Sequence, residues 1–156
     1  MTGFYLFVSS TDSSHYHDKN SYYDFIVELG RLYDLSDSAH LRSRNRWSMA
    51  LVEVKLEDMA GLESPILPEE VLILCDLIQP SYIRGSERRI LRQLGISGFG
   101  QLVSTYQPYY ISLNQSKFSR LEIQLVDKDL IPISQRRDWP LTKTWKLSCT
   151  FHFQKM

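Results

Sequence analysis

Residues 145–154 read Trp-Lys-Leu-Ser-Cys-Thr-Phe-His-Phe-Gln, an unbroken alternation of apolar and polar side chains. An extended strand places every second side chain on one face. Trp145, Leu147, Cys149, Phe151 and Phe153 therefore face a core, and Lys146, Ser148, Thr150, His152 and Gln154 face away. A slip of one residue would bury the whole polar set, so the register of this strand is firm. Residues 120–127 repeat the pattern, with Leu121, Ile123 and Leu125 inward and Arg120, Glu122 and Gln124 outward.

The rest of the chain extends this theme. Residues 3–9 alternate Phe4, Leu6 and Val8 against Tyr5 and Phe7. Residues 22–29 put Tyr23, Phe25, Val27 and Leu29 on one face, with Gly30 as the terminator and residues 32–35 as an apolar tail. In residues 47–56, Trp47, Met49 and Leu51 interleave with Ala50, Val52 and Val54, so both faces are covered in part. Residues 71–78, Val-Leu-Ile-Leu-Cys-Asp-Leu-Ile, form a continuous apolar run that suits a buried central strand. Asp76 inside it needs hydrogen bonds at a strand end or sheet edge, because an unpaired carboxylate there is costly. Residues 109–113 make a short strand, whereas residues 88–94 leave helix and strand both open. Polar or Gly/Pro-bearing loops fill residues 10–20, 36–46, 57–70, 79–87, 95–100 and 135–143. About eight short strands with irregular connections and no repeated helical pattern point to an all-β sandwich or jelly roll.

With 156 residues, 43% hydrophobic and 23% charged, the chain fits one domain over residues 1–156. Eighteen basic residues balance eighteen acidic ones. That balance argues against a nucleic-acid binder or a polybasic membrane anchor. Cys75 and Cys149 are too few for a disulfide framework and sit in apolar runs, as buried thiols in a reducing compartment would. The N-terminus lacks the positive region of a signal peptide, so secretion is not expected. No apolar run approaches the roughly 20 residues that span a membrane as a helix.

Chemistry-bearing patterns are sparse. His15, His17 and Asp18 resemble a metal cluster, but His40 and His152 stand apart and no further ligand follows at recognisable spacing. The glycines of residues 95–100 lack the strand-to-helix context of a phosphate cradle. Neither cysteine has a neighbouring His or Lys to activate it. Nucleophile elbow, zinc-protease, P-loop and dinucleotide fingerprints are all missing, so no enzyme activity, small-molecule substrate or cofactor is expected. Basic clusters at Arg42/Arg44/Arg46, Arg88/Arg89 and Arg136/Arg137 sit in or beside loops.

Three segments carry a resemblance: residues 47–53 (Trp-Ser-Met-Ala-Leu-Val-Glu), residues 75–80 (Cys-Asp-Leu-Ile-Gln-Pro) and residues 118–127. In their order along the chain they resemble the single jelly-roll, penton-like minor capsid proteins of Polinton/Maverick and adenovirus-related viruses and elements. This chain departs from that pattern in two places. It reads Asp127-Lys128-Asp129-Leu130 where the family usually turns on a glycine, and residues 136–143 look like an elaboration. The resemblance implies an eight-stranded single jelly roll of two four-stranded antiparallel sheets. Its strands would be residues 3–9, 22–29, 46–56, 71–78, 88–94, 109–113, 119–127 and 144–154. It also implies a virion protein, made in the host cytoplasm or nucleus. Such a protein would form homopentamers at five-fold vertices and contact the major capsid protein.

A subunit of that kind needs interface anchors, and Tyr and Trp are favoured there. Tyr22, Tyr82, Tyr106, Tyr109, Tyr110 and Trp139 lie in or beside loops or strand ends. Tyr82 and Trp139 stand in polar, turn-like neighbourhoods and are the first candidates, followed by Tyr109, Tyr110, Arg136 and Arg137. The competing reading is a monomeric β-sandwich binding module, lectin-like or peptide-binding, with one concave aromatic site.

Overall fold

The computed structural model describes residues 3–36, 47–58, 70–83, 85–95, 102–104, 107–135 and 145–155. Eleven strands occur among them: β1 (Gly3–Ser9), β2 (Asp24–Asp34), β3 (Trp47–Asp58), β4 (Glu70–Cys75), β5 (Ser81–Ile83), β6 (Ser86–Arg88), β7 (Ile90–Gly95), β8 (Leu102–Ser104), β9 (Ile111–Ser112), β10 (Lys117–Asp127) and β11 (Trp145–Lys155). One sheet runs β1-β11-β3, with β8 and β9 both on the far side of β3; the other runs β2-β10-β4-β7.

The pairing is nested. The first strand pairs with the last (β1 with β11), the second with the next to last (β2 with β10), the third with β8 and β9, and the fourth with β7. Every one of these ladders is antiparallel. Once β8 and β9 are counted as one interrupted strand and the small β5–β6 hairpin is set aside, this is a jelly roll of two four-stranded sheets. Of residues 88–94, open between helix and strand in the sequence, Arg88 ends β6 and the rest from Ile90 onward are strand β7 because β4 offers them a ladder.

The inner faces follow the alternation. Trp145, Leu147, Cys149, Phe151 and Phe153 are buried, as are Leu121, Ile123 and Leu125. Four rings join the two sheets in a closed circuit. Phe4 of β1 stacks on Phe153 of β11 (centroids 4.8 Å apart), Phe153 on Phe118 of β10 (5.6 Å), Phe118 on Tyr33 of β2 (5.3 Å), and Tyr33 on Phe4 (5.5 Å).

Several local features differ from the sequence expectations: the strand expected over 71–78 ends at Cys75, that over 109–113 narrows to Ile111–Ser112, β8 is not among the expected strands, and three further differences change the packing. Strand β2 does not stop at Gly30. Instead Gly30 adopts φ 75° and the ladder with β10 shifts between Phe118 and Arg120, so the glycine makes a bulge and the strand continues to Asp34. A bulge in the β11–β3 ladder between Thr150 and Phe151 changes the phase of β3. Its core-facing set accordingly runs Met49, Leu51, then Val54 and Leu56, while Ser48 and Ala50 are buried as well. Within residues 79–87, expected as loop, Ser81–Ile83 pairs with Ser86–Arg88 as the β5–β6 hairpin, with Gly85 at φ 78° between them.

Candidate assembly surface

Local chain geometry gathers three of the aromatic candidates. After β4 the chain turns at Asp76, and Ile78 bridges to Leu113. Gln79 donates its N–H to the Ser112 carbonyl (2.9 Å) and Asn114 donates to that of Leu77 (2.8 Å). These bonds strap the base of the β5–β6 hairpin to the segment around β9. Arg92 of β7 donates from Nη1 to the Gln107 carbonyl (3.0 Å), which holds the approach to β9 from the other side. Between them lies a groove of about 940 Å³ whose walls include Pro80, Tyr82, Ile83, Pro108, Tyr109 and Tyr110. Tyr82 is 75% exposed and Tyr109 67% exposed. The structure thus brings Tyr82, Tyr109 and Tyr110 to one place.

Tyr110 connects that groove to the outer face of the first sheet. Its hydroxyl hydrogen-bonds His152 Nδ1 at 2.7 Å, and the His152 ring lies against Tyr5 of β1 (4.5 Å between centroids). Desolvation, and next the Tyr5 hydroxyl, hold the Tyr110 phenol above the usual tyrosine range. Tyr5 is 60% exposed and its outward neighbour Phe7 is 72% exposed. Neither stands among the sequence candidates, although the alternation of residues 3–9 already turns both outward.

The remaining sequence candidates fare differently. Trp139, Arg136 and Arg137 lie outside the described residues, as do Tyr106 and Arg42, Arg44 and Arg46. Arg88 and Arg89 are exposed. Tyr22 is not available as a contact. It is fully buried, packed on Trp145 (4.9 Å) and Tyr23 (5.0 Å), and burial pushes its phenol strongly up.

A second, smaller depression of about 290 Å³ lies across the hairpin, lined by Asp76, Glu87, Arg88, Arg89, Glu122 and Gln124 among others. Asp76 is satisfied at a strand end: its Oδ1 accepts the Glu122 N–H at 2.8 Å. Desolvation raises Asp76, Asp24 and Glu122 above the usual carboxylate range, and for Glu122 the charges of Asp24 and Asp76 add to it. The Glu122 hydrogen bond and the Arg120 and Arg89 charges oppose the rise at Asp76. These carboxylates share the outer face of the second sheet. Cys75 also lines the depression and its thiol donates weakly to Asp76 Oδ1 (4.0 Å), but burial holds that thiol protonated, so the pair presents no activated nucleophile.

Among the described residues no group of three or more His, Cys, Asp or Glu could hold a metal. His17 bonds instead to Glu28 (Nε2–Oε1 2.9 Å), and His15 lies against Tyr16. Both cysteines are buried free thiols, and burial pushes Cys149 up to about 12 and Cys75 higher still, which leaves them unreactive. No described helix is long and apolar enough to cross a membrane.

No family model and no curated protein matches the chain. Among solved structures it is similar to the mavirus penton protein, known from a crystal structure of the selenomethionine-labelled protein. The superposition covers 99% of this chain and 100% of that one, with a TM-score of 0.55 and 7% sequence identity. What the two share at that identity is the fold, a penton-like jelly roll along the whole length.

Proposed function

We propose that this chain is a structural virion protein, a penton-type capsid subunit without enzyme activity. Five copies would close a ring at an icosahedral five-fold vertex and contact the surrounding major capsid protein. The observation that carries the reading is the end-to-end likeness of fold to a penton protein. The chemistry of the described surface supports it. One concave feature is an aromatic groove open to solvent, and the carboxylates with raised pKa lie on the outer face of the second sheet, Asp76 and Glu122 in a shallow depression there. A ring needs two different faces of one subunit to meet, and aromatic anchors suit the centre of such a contact. Tyr82, Tyr109 and Tyr110 are the proposed anchors, and Trp139, Arg136 and Arg137 are further candidates from the sequence alone.

Negative-stain microscopy of the purified chain tests the proposal. Five-fold class averages are expected, and fields of single compact particles at every concentration would refute it. The groove also favours a second reading, a monomeric lectin-like or peptide-binding module. That reading requires saturable binding to a glycan or peptide array by a single subunit.

A further inference from the structure

We infer that Tyr5 and Phe7, on the unpaired edge of β1, seat in the Tyr82/Tyr109 groove of a second copy of this chain, so that the ring contact runs head to tail. The inference rests on the ring reading above and names the two surfaces that meet.

Among the described residues strand β1 is an edge strand: it pairs with β11 on one side only. Proteins normally guard such an edge with charge, proline or a bulge. This one reads Gly-Phe-Tyr-Leu-Phe-Val-Ser, with no charged residue and no proline, and its ladder with β11 runs from Gly3 to Ser9 without a register shift. Two large aromatic side chains point outward from it. An unguarded, flat, apolar edge persists in a working protein when something covers it.

The groove opens at the other edge of the sandwich, and Tyr110 of its wall reaches back over the outer face to His152, beside Tyr5. Strand β1 ends the first sheet at one side, whereas β9 lies beyond β3 at the other, and β7 ends the second sheet. The walls of the groove come from the flanks of β5, β7 and β9. One patch is a projecting pair of rings and the other a concavity between rings. A projection that seats in a concavity of the next copy, repeated head to tail, generates a ring.

The areas agree. An aromatic side chain offers on the order of 150–250 Å². Two rings exposed by more than half on each side supply roughly 250 Å² per partner, about a third of the ~800 Å² that a standard interface buries per side. That is the size of an apolar centre, with polar residues left for the rim.

Two variants at exposed positions test this, Phe7→Glu and Tyr82→Glu, each checked for fold by circular dichroism. The milder pair Phe7→Ser and Tyr82→Ser replaces any variant that misfolds. Each variant alone is expected to be monomeric where the unaltered chain forms rings. In an equimolar mixture the intact groove of one meets the intact edge of the other, so a two-subunit species forms and no ring. As a second readout, the double variant Phe7→Cys/Tyr109→Cys is expected to give an oxidised ladder of linked subunits, since Cys75 and Cys149 are buried and silent. Rings that survive both glutamate substitutions, or that give no ladder, overturn the inference and leave the ring reading standing. An unaltered chain that stays monomeric overturns both.

Discussion

Phe153→Ala probes the circuit of rings that joins the two sheets. Phe153 is fully buried, and its ring lies nearly parallel to that of Phe4, at an interplanar angle of 4°. It also stacks on Phe118 across the sandwich. Truncating a buried Phe costs about 3–5 kcal/mol, the lost transfer energy plus the cavity left behind. Each lost ring pair is worth about 0.5–1.5 kcal/mol of that cost. With two stacked partners on two different sheets, the site cannot close by moving one side chain, so a loss near 4 kcal/mol is expected. That is a large share of the roughly 5–15 kcal/mol that holds a domain together. Urea unfolding at one fixed protein concentration reads it, with the fluorescence of Trp47, 5.7 Å from Phe4, as the probe. Leu32→Ala, at an exposed position of β2 outside the proposed contact, is the control and should cost less than about 0.5 kcal/mol. A double-mutant cycle of Phe153→Ala with Phe118→Ala should return a coupling of about 0.5–1.5 kcal/mol. A loss under about 1.5 kcal/mol for Phe153→Ala, or an equal loss for Leu32→Ala, would refute this account of the core.

Leu130 sits at φ 65° in the turn where the carboxylate of Asp127 accepts N–H groups from Asp129 (2.8 Å) and Ile131 (3.0 Å). A left-handed conformation costs a side-chain-bearing residue about 1–2 kcal/mol, against roughly 0.5–1 kcal/mol of extra chain entropy for glycine. Leu130→Gly is therefore expected to raise the melting temperature slightly, and a clear fall would show that the Leu130 side chain outweighs the strain. Asp127→Ala strands those two N–H groups and should cost about 1–3 kcal/mol in the same melts. Because burial raises Asp24 and Glu122, the folded state holds their protons more tightly than the unfolded chain. Their contribution to stability is thus present below about pH 4 and is lost as pH rises through the raised values. Asp24→Asn and Glu122→Gln should stabilise at pH 7 more than at pH 4, and equal gains at both would contradict the assignment. Thiol titration with a colorimetric disulfide reagent should find neither cysteine in the native protein and both after denaturation; rapid native reaction would contradict their burial.

Much of the fold was legible because three strands, β1, β10 and β11, bury one clean face each, and period-two alternation survives only in such strands. Gly30 misled because a glycine that ends a strand and one that bulges it look alike; only the partner β10 distinguishes them. The β5–β6 hairpin was hidden because three-residue strands carry too few positions for a period, and Pro80 and Gly85 read as loop. Tyr22 reads as surface beside Asn20 and Ser21, yet Trp145, from the far end of the chain, covers it. The aromatic candidates Tyr82, Tyr109 and Tyr110 were legible one by one. Their convergence depends on the strap between residues 77–79 and 112–114, which no local pattern announces. Tyr5 and Phe7 were visible as an outward pair, but their meaning depends on β1 being an edge, which strand order alone decides.

Light scattering of the purified chain, at several concentrations and salt levels, tests the central claim most directly. Five chains of 18.3 kDa give a species of about 92 kDa. The account expects that mass to persist with little dependence on salt, because the proposed contact is aromatic rather than ionic. A mass that stays at 18.3 kDa at the highest concentration reached would contradict it.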